Sequence, residues 1–399
     1  MIRFRRYSPT LFPGQLILIA ALAAATVSCD RAITSAAPLP ASQSPAGDAV
    51  PHSREANDAG RFLAGMPGET GSAFAEYENT DAWKLHKREL DRAWGHMEAQ
   101  TIPEMREFQK KELSTPTIEK STVFYPFSGP DSLVLSVFFP KNPTYVMVGL
   151  EPPGTLPTPK LLEKKDLNAT LGAVRETVYD ELHRSFFITR QMDKHFRGQV
   201  ADGLFSPILQ LMVRMNHTIL GYRYVRLDEE GQIVERKLDY VAPTGTTTYK
   251  GVEIEFTTNG NSTAQKLYYF SMNLADPRLS VNKPFAAFMA KQKGMTSYFK
   301  ATSYMTHRKE FSIIRERVLG ASAAILQDDS GIPFKYISES PWSVKLFGEF
   351  DHPYGSFRWY EQKDLKQAYT EKGPTPLKFK IGYGFSKVPS NLLLATRSH

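Results

Sequence analysis

The chain reads as a mixed α/β protein with a Rossmann-like strand–turn–helix–strand start, a helical middle, an antiparallel β meander and C-terminal helices and strands. Three observations predict this. Two apolar runs, Val123–Phe127 and Tyr145–Leu150, lie a short crossover apart, as buried parallel strands do. Leu167, Leu171, Val174, Val178 and Leu182 recur every three or four residues, the spacing of one helix face. Val252–Phe256 alternates strictly, the period of a strand with one wet face.

The first elements are an address. Arg3, Arg5 and Arg6 precede an apolar stretch, Leu16–Ala25, which is too short to span a bilayer comfortably. Thr26-Val27-Ser28-Cys29 then resembles a lipobox, with Thr26 standing where a larger aliphatic is usual. Cys29 is the only cysteine of the chain, so the folded region has no disulfide and no thiolate metal site. The resemblance implies a signal peptide over residues 1–28, acylation of Cys29 and attachment to a membrane facing the periplasm or exterior. The alternative is ordinary cleavage after Ala23 or Ala25, which would leave Cys29 a free thiol. Arg5-Arg6 also hints at twin-arginine export, and Asp30 resembles an inner-membrane retention signal.

Residues 29–71, rich in Ala, Ser, Pro and Gly, read as a flexible tether with a reach of roughly 35 Å. Residues 72–399 are expected to form one globular domain. Thr80 or Asp81 caps a helix whose face carries Trp83, Leu90, Trp94 and Met97, and Pro103 is expected to end or kink it. Ser128–Asp131 is a turn, and Leu133–Phe139 fits a short helix or a strand. Pro207 suits the first turn of an apolar helix running to about His217. Gly221–Leu227 and Ile233–Leu238 read as a hairpin, with Leu267–Phe270 completing the meander. Helices are expected at Pro284–Lys291, Ser297–Met305, Phe311–Leu326 and Asp364–Tyr369, with strands at Ser343–Phe347 and Leu377–Ile381.

The formal charge is +7, falling to +4 without residues 1–28. That is too mild, with no basic run, to argue for nucleic acid. Three polar, turn-like blocks stand out: Tyr125–Asp131, Gly149–Gly154 and Leu326–Tyr336. With Leu267–Phe270 and Met305–Arg308 they resemble a family of uncharacterised bacterial exported lipoproteins, over most of the chain from about residue 120. That family carries no established activity. The first two blocks also resemble the opening of a class I methyltransferase fold, which implies ligand contacts from Ser128 and Gly129 after the first strand and from Glu151 after the second. One glycine followed by proline departs from the glycine-rich turn such folds use, so only the fold is expected to transfer.

Asp328-Asp329 fits three readings: oxygen ligands for a hard cation, an acid–base pair sharing a proton, or simple turn formation. Asp131 is either a catalytic carboxylate at a strand's carboxyl end or the cap of a helix starting at Ser132. His217 and His307, with Arg308 beside the latter, are candidate bases or anion contacts. A triad of Ser128, Asp131 and a distant histidine can be drawn but has no motif behind it. No His-x-x-x-His, Gly-x-Ser-x-Gly or Walker-type pattern occurs. We therefore expect a membrane-anchored envelope lipoprotein that binds an envelope component or partner. The alternative is a hydrolase-like envelope enzyme using Asp131, Asp328, Asp329 and His307, with Ser128, Gly129, Glu151 and Arg308 binding its ligand. The sequence assigns no metal and names no cofactor.

Overall fold

The computed structural model describes residues 53–163, 165–187, 202–237, 250–258, 263–385 and 388–398. Residues 1–52, and with them the expected signal segment and Cys29, lie outside the described residues. The body begins earlier than expected. Helix α1 (Arg54–Leu63) buries Ala56, Ala59, Phe62 and Leu63, so residues 53–71 belong to the fold and not to a tether. Low hydrophobicity overall hid a helix with one strongly apolar face. Asn57 fastens it, donating to the Ile219 carbonyl at 2.6 Å and accepting from the Ile219 amide at 2.9 Å. Gly60 lets α1 press close, because a Cβ there would stand 3.0 Å from Val213 Cγ1.

Helix α2 (Asp81–His96) starts where its cap predicts, with Thr80 Oγ1 accepting from the Trp83 amide. Its buried face carries Trp83, His86, Leu90 and Trp94. Pro103 does not end it. The rod passes through a π segment, Met97–Thr101, then Ile102–Phe108 and a second π segment, Gln109–Leu113. The widened turn precedes the proline, so the missing N–H falls where α-type pairing is already interrupted.

Ten strands among the described residues form one sheet. They are β1 (Thr122–Pro126), β2 (Thr144–Gly149), β3 (His217–Leu227), β4 (Ile233–Glu235) and β5 (Lys250–Thr258), then β6 (Gln265–Ser271), β7 (Met295–Phe299), β8 (Ser322–Gln327), β9 (Trp342–Gly348) and β10 (Asn391–Arg397). Their order is β4-β3-β5-β6-β2-β1-β7-β8-β10-β9. The central five, β6-β2-β1-β7-β8, are parallel and flanked by antiparallel strands. Taken in chain order they stand 3-2-1-4-5, the doubly wound arrangement, which reverses between β1 and β7. The two faces of the sheet bury separate cores. Tyr125, Met147, Tyr269, Tyr298 and Leu326 lie in one, and Phe124, Val146, Phe270, Phe299 and Ile325 in the other.

Helix α3 (Ser132–Phe138) is the β1–β2 crossover, resolving the helix-or-strand alternative. Helices α4 (Leu167–Arg184) and α5 (Phe205–Arg214) bury the expected faces, though α5 stops before His217, which opens β3. The meander is only partly separate. β6 pairs antiparallel with β5 but parallel with β2, and even Glu253 of β5 is buried, held by Arg223 at 2.7 Å. Helix α6 (Lys283–Lys291) was expected. Ser297–Met305 is not a helix: Met295–Phe299 is a strand buried on both faces, which erases the alternation that would have marked it. For the same reason the helix expected over Phe311–Leu326 divides into α7 (Ser312–Ala321) and strand β8. Helix α8 (Lys363–Glu371) and β9 match expectation. The last strand is Asn391–Arg397; Leu377–Ile381 forms none. No helix of the described residues is long and apolar enough to cross a membrane.

Candidate functional site

Open doubly wound sheets place ligands outside the carboxyl ends of their strands, at the point where strand order reverses. Here that point lies between β1 and β7, and a buried ionic cluster occupies it. Lys300, directly after β7, reaches Asp131 Oδ2 at 2.6 Å and Glu181 Oε1 of α4 at 2.8 Å. All three side chains are sealed from solvent. Asp131 caps its helix and also pairs with the lysine. Its Oδ1 accepts from the Val134 amide and caps α3, while Oδ2 also accepts from the Tyr125 hydroxyl at 2.9 Å.

Burial opposes the charge of Lys300, but the two carboxylates outweigh it and raise the lysine's pKa. Burial, and then the Asp131 charge, push Glu181 up to about 7 against the pull of Lys300. Glu181 is therefore poised to hold or release a proton near neutrality. Its Oε2 and the Tyr298 hydroxyl are buried without hydrogen-bond partners. Burial and the charges of Asp131, Asp328 and Glu181 hold the Tyr298 hydroxyl protonated.

The loop after β7 is held in an uncommon backbone. Ala301, Ser303 and Tyr304 all have positive φ, as do Phe127 after β1 and Ser185 after α4. Five of the six such non-glycine residues described thus lie in the segments that follow β1, α4 and β7, which carry or adjoin Asp131, Glu181 and Lys300. Each costs about 1–3 kcal/mol and persists only where its surroundings hold it. They do so here. The Ala301 amide donates to Asp328 Oδ2 at 2.7 Å, and the Thr302 amide to Ser330 Oγ at 2.8 Å. The Tyr383 hydroxyl accepts from the Ser303 amide at 3.1 Å and donates to the Ala301 carbonyl at 3.0 Å. Tyr304 donates its hydroxyl to Asp329 Oδ2.

Asp328 thus joins the cluster through Ala301, and Asp329 forms its outer edge. All four oxygens of this pair face protein donors: Ser330 N and Oγ, Ala301 N, Asn391 Nδ2 and Tyr304 Oη. Five hydrogen bonds from the chain itself thus hold the pair in place. Among the described residues no group of three or more His, Cys, Asp or Glu could hold a metal. The turn-forming reading holds, since Asp328 accepts from Ser330 two residues on. An acid–base character remains beside it. Burial and the neighbouring Asp329 push Asp328 up to about 7, and burial also raises Asp329.

The other candidates do not converge on Lys300. His307 packs edge-on to Tyr304, 5.1 Å between ring centres, and burial holds it neutral with a pKa of about 4. Arg308 is exposed, donating to the Tyr360 hydroxyl at 2.8 Å. Glu151 is buried at the end of β2, where its carbonyl accepts from Tyr269 at 2.6 Å. The Ser128 amide and hydroxyl turn inward to the Val148 carbonyl, at 2.9 and 3.3 Å, and Gly129 simply turns the chain at φ 54°. Both donors of Ser128 are thus spent on carbonyls of the chain itself. His217 lies at the opposite edge of the sheet, so the drawn triad of Ser128, Asp131 and histidine does not form there.

Two central residues went unread in the sequence. Glu181 was visible, because it is a charge on the apolar stripe of α4, three residues after Val178. Lys300 was hidden by the strand before it, which resembled a helix. No family model, no curated protein and no solved structure matches the chain.

Proposed function

We propose that this chain is an exported lipoprotein, anchored through Cys29 to a membrane of the cell envelope, that binds an envelope component at the carboxyl edge of its parallel strands around Lys300. One observation carries the reading. A sealed lysine with two carboxylates, followed by a loop left-handed at three positions, stands at the point of strand reversal. Buried charge and backbone strain both cost stability, and proteins concentrate them where they bind or react. The address rests on the n-region, apolar stretch and single cysteine of residues 1–29.

A second reading, an envelope enzyme working by acid–base chemistry, is favoured by Glu181. A carboxyl group near 7, in contact with Lys300, matches what a general acid or base needs at neutral pH.

The test of the site is Glu181→Gln at pH 8. A binding site keeps its surplus carboxylate at a cost, so the amide should raise the melting temperature by a few degrees. A purely architectural cluster would instead lose several degrees, and the proposal would fall. The address is tested by growth with an alkyne fatty acid. The parent should take up label and Cys29→Ala should not; equal labelling of the two would remove the anchor.

A further inference from the structure

At the other end of the sheet, four side chains form a directed hydrogen-bond relay that ends on a serine. Gln265, at the start of β6, donates its amide to the carbonyls of Pro140 at 3.1 Å and Asn142 at 2.8 Å. It also donates to Tyr145 Oη at 2.9 Å, whose own proton goes to the Phe139 carbonyl. The amide orientation is therefore fixed, and Oε1 must face Thr258, whose hydroxyl donates to it at 2.7 Å. Having spent its proton, Thr258 Oγ1 can only accept from His217 Nδ1, 3.2 Å away. That places the histidine's proton on Nδ1 and leaves Nε2 a bare base, 2.7 Å from Ser136 Oγ.

We propose that Ser136 is a nucleophile activated by His217, and that this pair reacts with carboxylic esters. A nucleophile within hydrogen-bond reach of a base, itself oriented by a third group, is the arrangement covalent acyl transfer requires. In the reaction Ser136 Oγ bonds to the ester carbonyl carbon while its proton passes to His217 Nε2. The bond to the leaving alcohol breaks, and that alkoxide takes the proton from Nε2. Water then repeats the sequence, releasing the acid and restoring the serine. The third group is a neutral hydroxyl instead of a carboxylate, so the imidazolium gains no ionic support. That points to esters, whose alcohols leave readily, over amides.

The surroundings suit the role. His217 is 7% exposed and packs edge-on to Phe256, and burial keeps it neutral with a pKa of about 4, so it is unprotonated at ordinary pH. Ser136 is only half-buried. Its hydroxyl has a second acceptor, the Ser132 carbonyl at 2.8 Å, the ordinary back-bond of a mid-helix serine. A serine serving only that bond has no need of a histidine fixed in one tautomer. The inference is independent of the Lys300 cluster, since no residue is shared.

The experiment is labelling of the full chain with a fluorophosphonate, whose P–F bond breaks as Ser136 Oγ bonds to phosphorus. Peptide mass spectrometry should find the adduct on Ser136, and Ser136→Ala should remove it. Thr258→Val, folded at the assay temperature by circular dichroism, should slow labelling about 100-fold, and Thr258→Ser should restore it. His217→Gln should slow it at least as much; if that variant does not fold, the Thr258 pair decides. A folded parent left unmodified at Ser136, or one labelled as fast with Thr258→Val, overturns the proposal.

Discussion

The two edges of the parallel sheet solve the same problem differently. Each buries polar groups among aromatic side chains. At the amino edge Ser136, His217, Thr258 and Gln265 are all neutral, and their protons follow one another in a single direction. At the carboxyl edge Lys300 faces Asp131 and Glu181, the Asp328-Asp329 pair adjoins them, and the connecting backbone is left-handed at five positions. Neutral networks are inexpensive when every member is satisfied. Charged ones carry a desolvation cost that pairing repays only in part. The amino edge could thus persist as architecture or as chemistry, whereas the carboxyl edge is hard to explain as architecture alone.

The comparison can be broken most severely by removing α1. A chain starting at residue 72 loses Asn57, which holds the amino end of β3, and the apolar face that covers α5. We expect no cooperative unfolding transition for it by circular dichroism, whereas a chain starting at Ser53 should match the full length. Next, Lys300→Met leaves two buried carboxylates without their cation, and urea unfolding should show a loss of about 3–5 kcal/mol. A loss under about 1 kcal/mol would mean the cluster is not ionised as described. At the amino edge, Gln265→Met strands the Asn142 and Pro140 carbonyls and should cost less, about 1–3 kcal/mol.

The smallest effect is also the most diagnostic. Glu181 holds its proton up to about pH 7 in the folded chain but only to about 4.5 when unfolded. Folding therefore takes up a proton in that interval, and Glu181 makes the parent less stable as pH rises through it. Asp328 acts in the same direction, from 3.8 to about 7. His86, His217 and His307, held neutral at about 4, act oppositely: their contribution is lost as pH falls from 6.5. The difference in melting temperature between parent and Glu181→Gln isolates one group. It should open between pH 4.5 and 7 and stay constant above; a difference that does not vary with pH would refute the assignment.

What the sequence disclosed was local. The caps at Thr80 and Asp131, the stripe of α4 and the first two parallel strands follow from spacing over a few residues. Strands β7 and β8 were misread because burial on both faces removes the period that separates strand from helix. Asp131, Asp328 and Asp329 were legible as turn carboxylates after apolar runs. Their meeting with Lys300 was not, because residues 131, 181 and 300 come together only through the strand order. The pairing of Ser136 with His217 spans 81 residues and was equally out of reach.

One short helix belongs to both edges. Asp131 caps α3 and grips Lys300; Ser136, five residues on, contacts His217. Over fewer than two turns an α-helix moves as a solid body, roughly 7 Å separating those positions along its axis. A shift of α3 as one body would therefore move the aspartate against its lysine and the serine against its histidine together, joining the two edges through a single short helix.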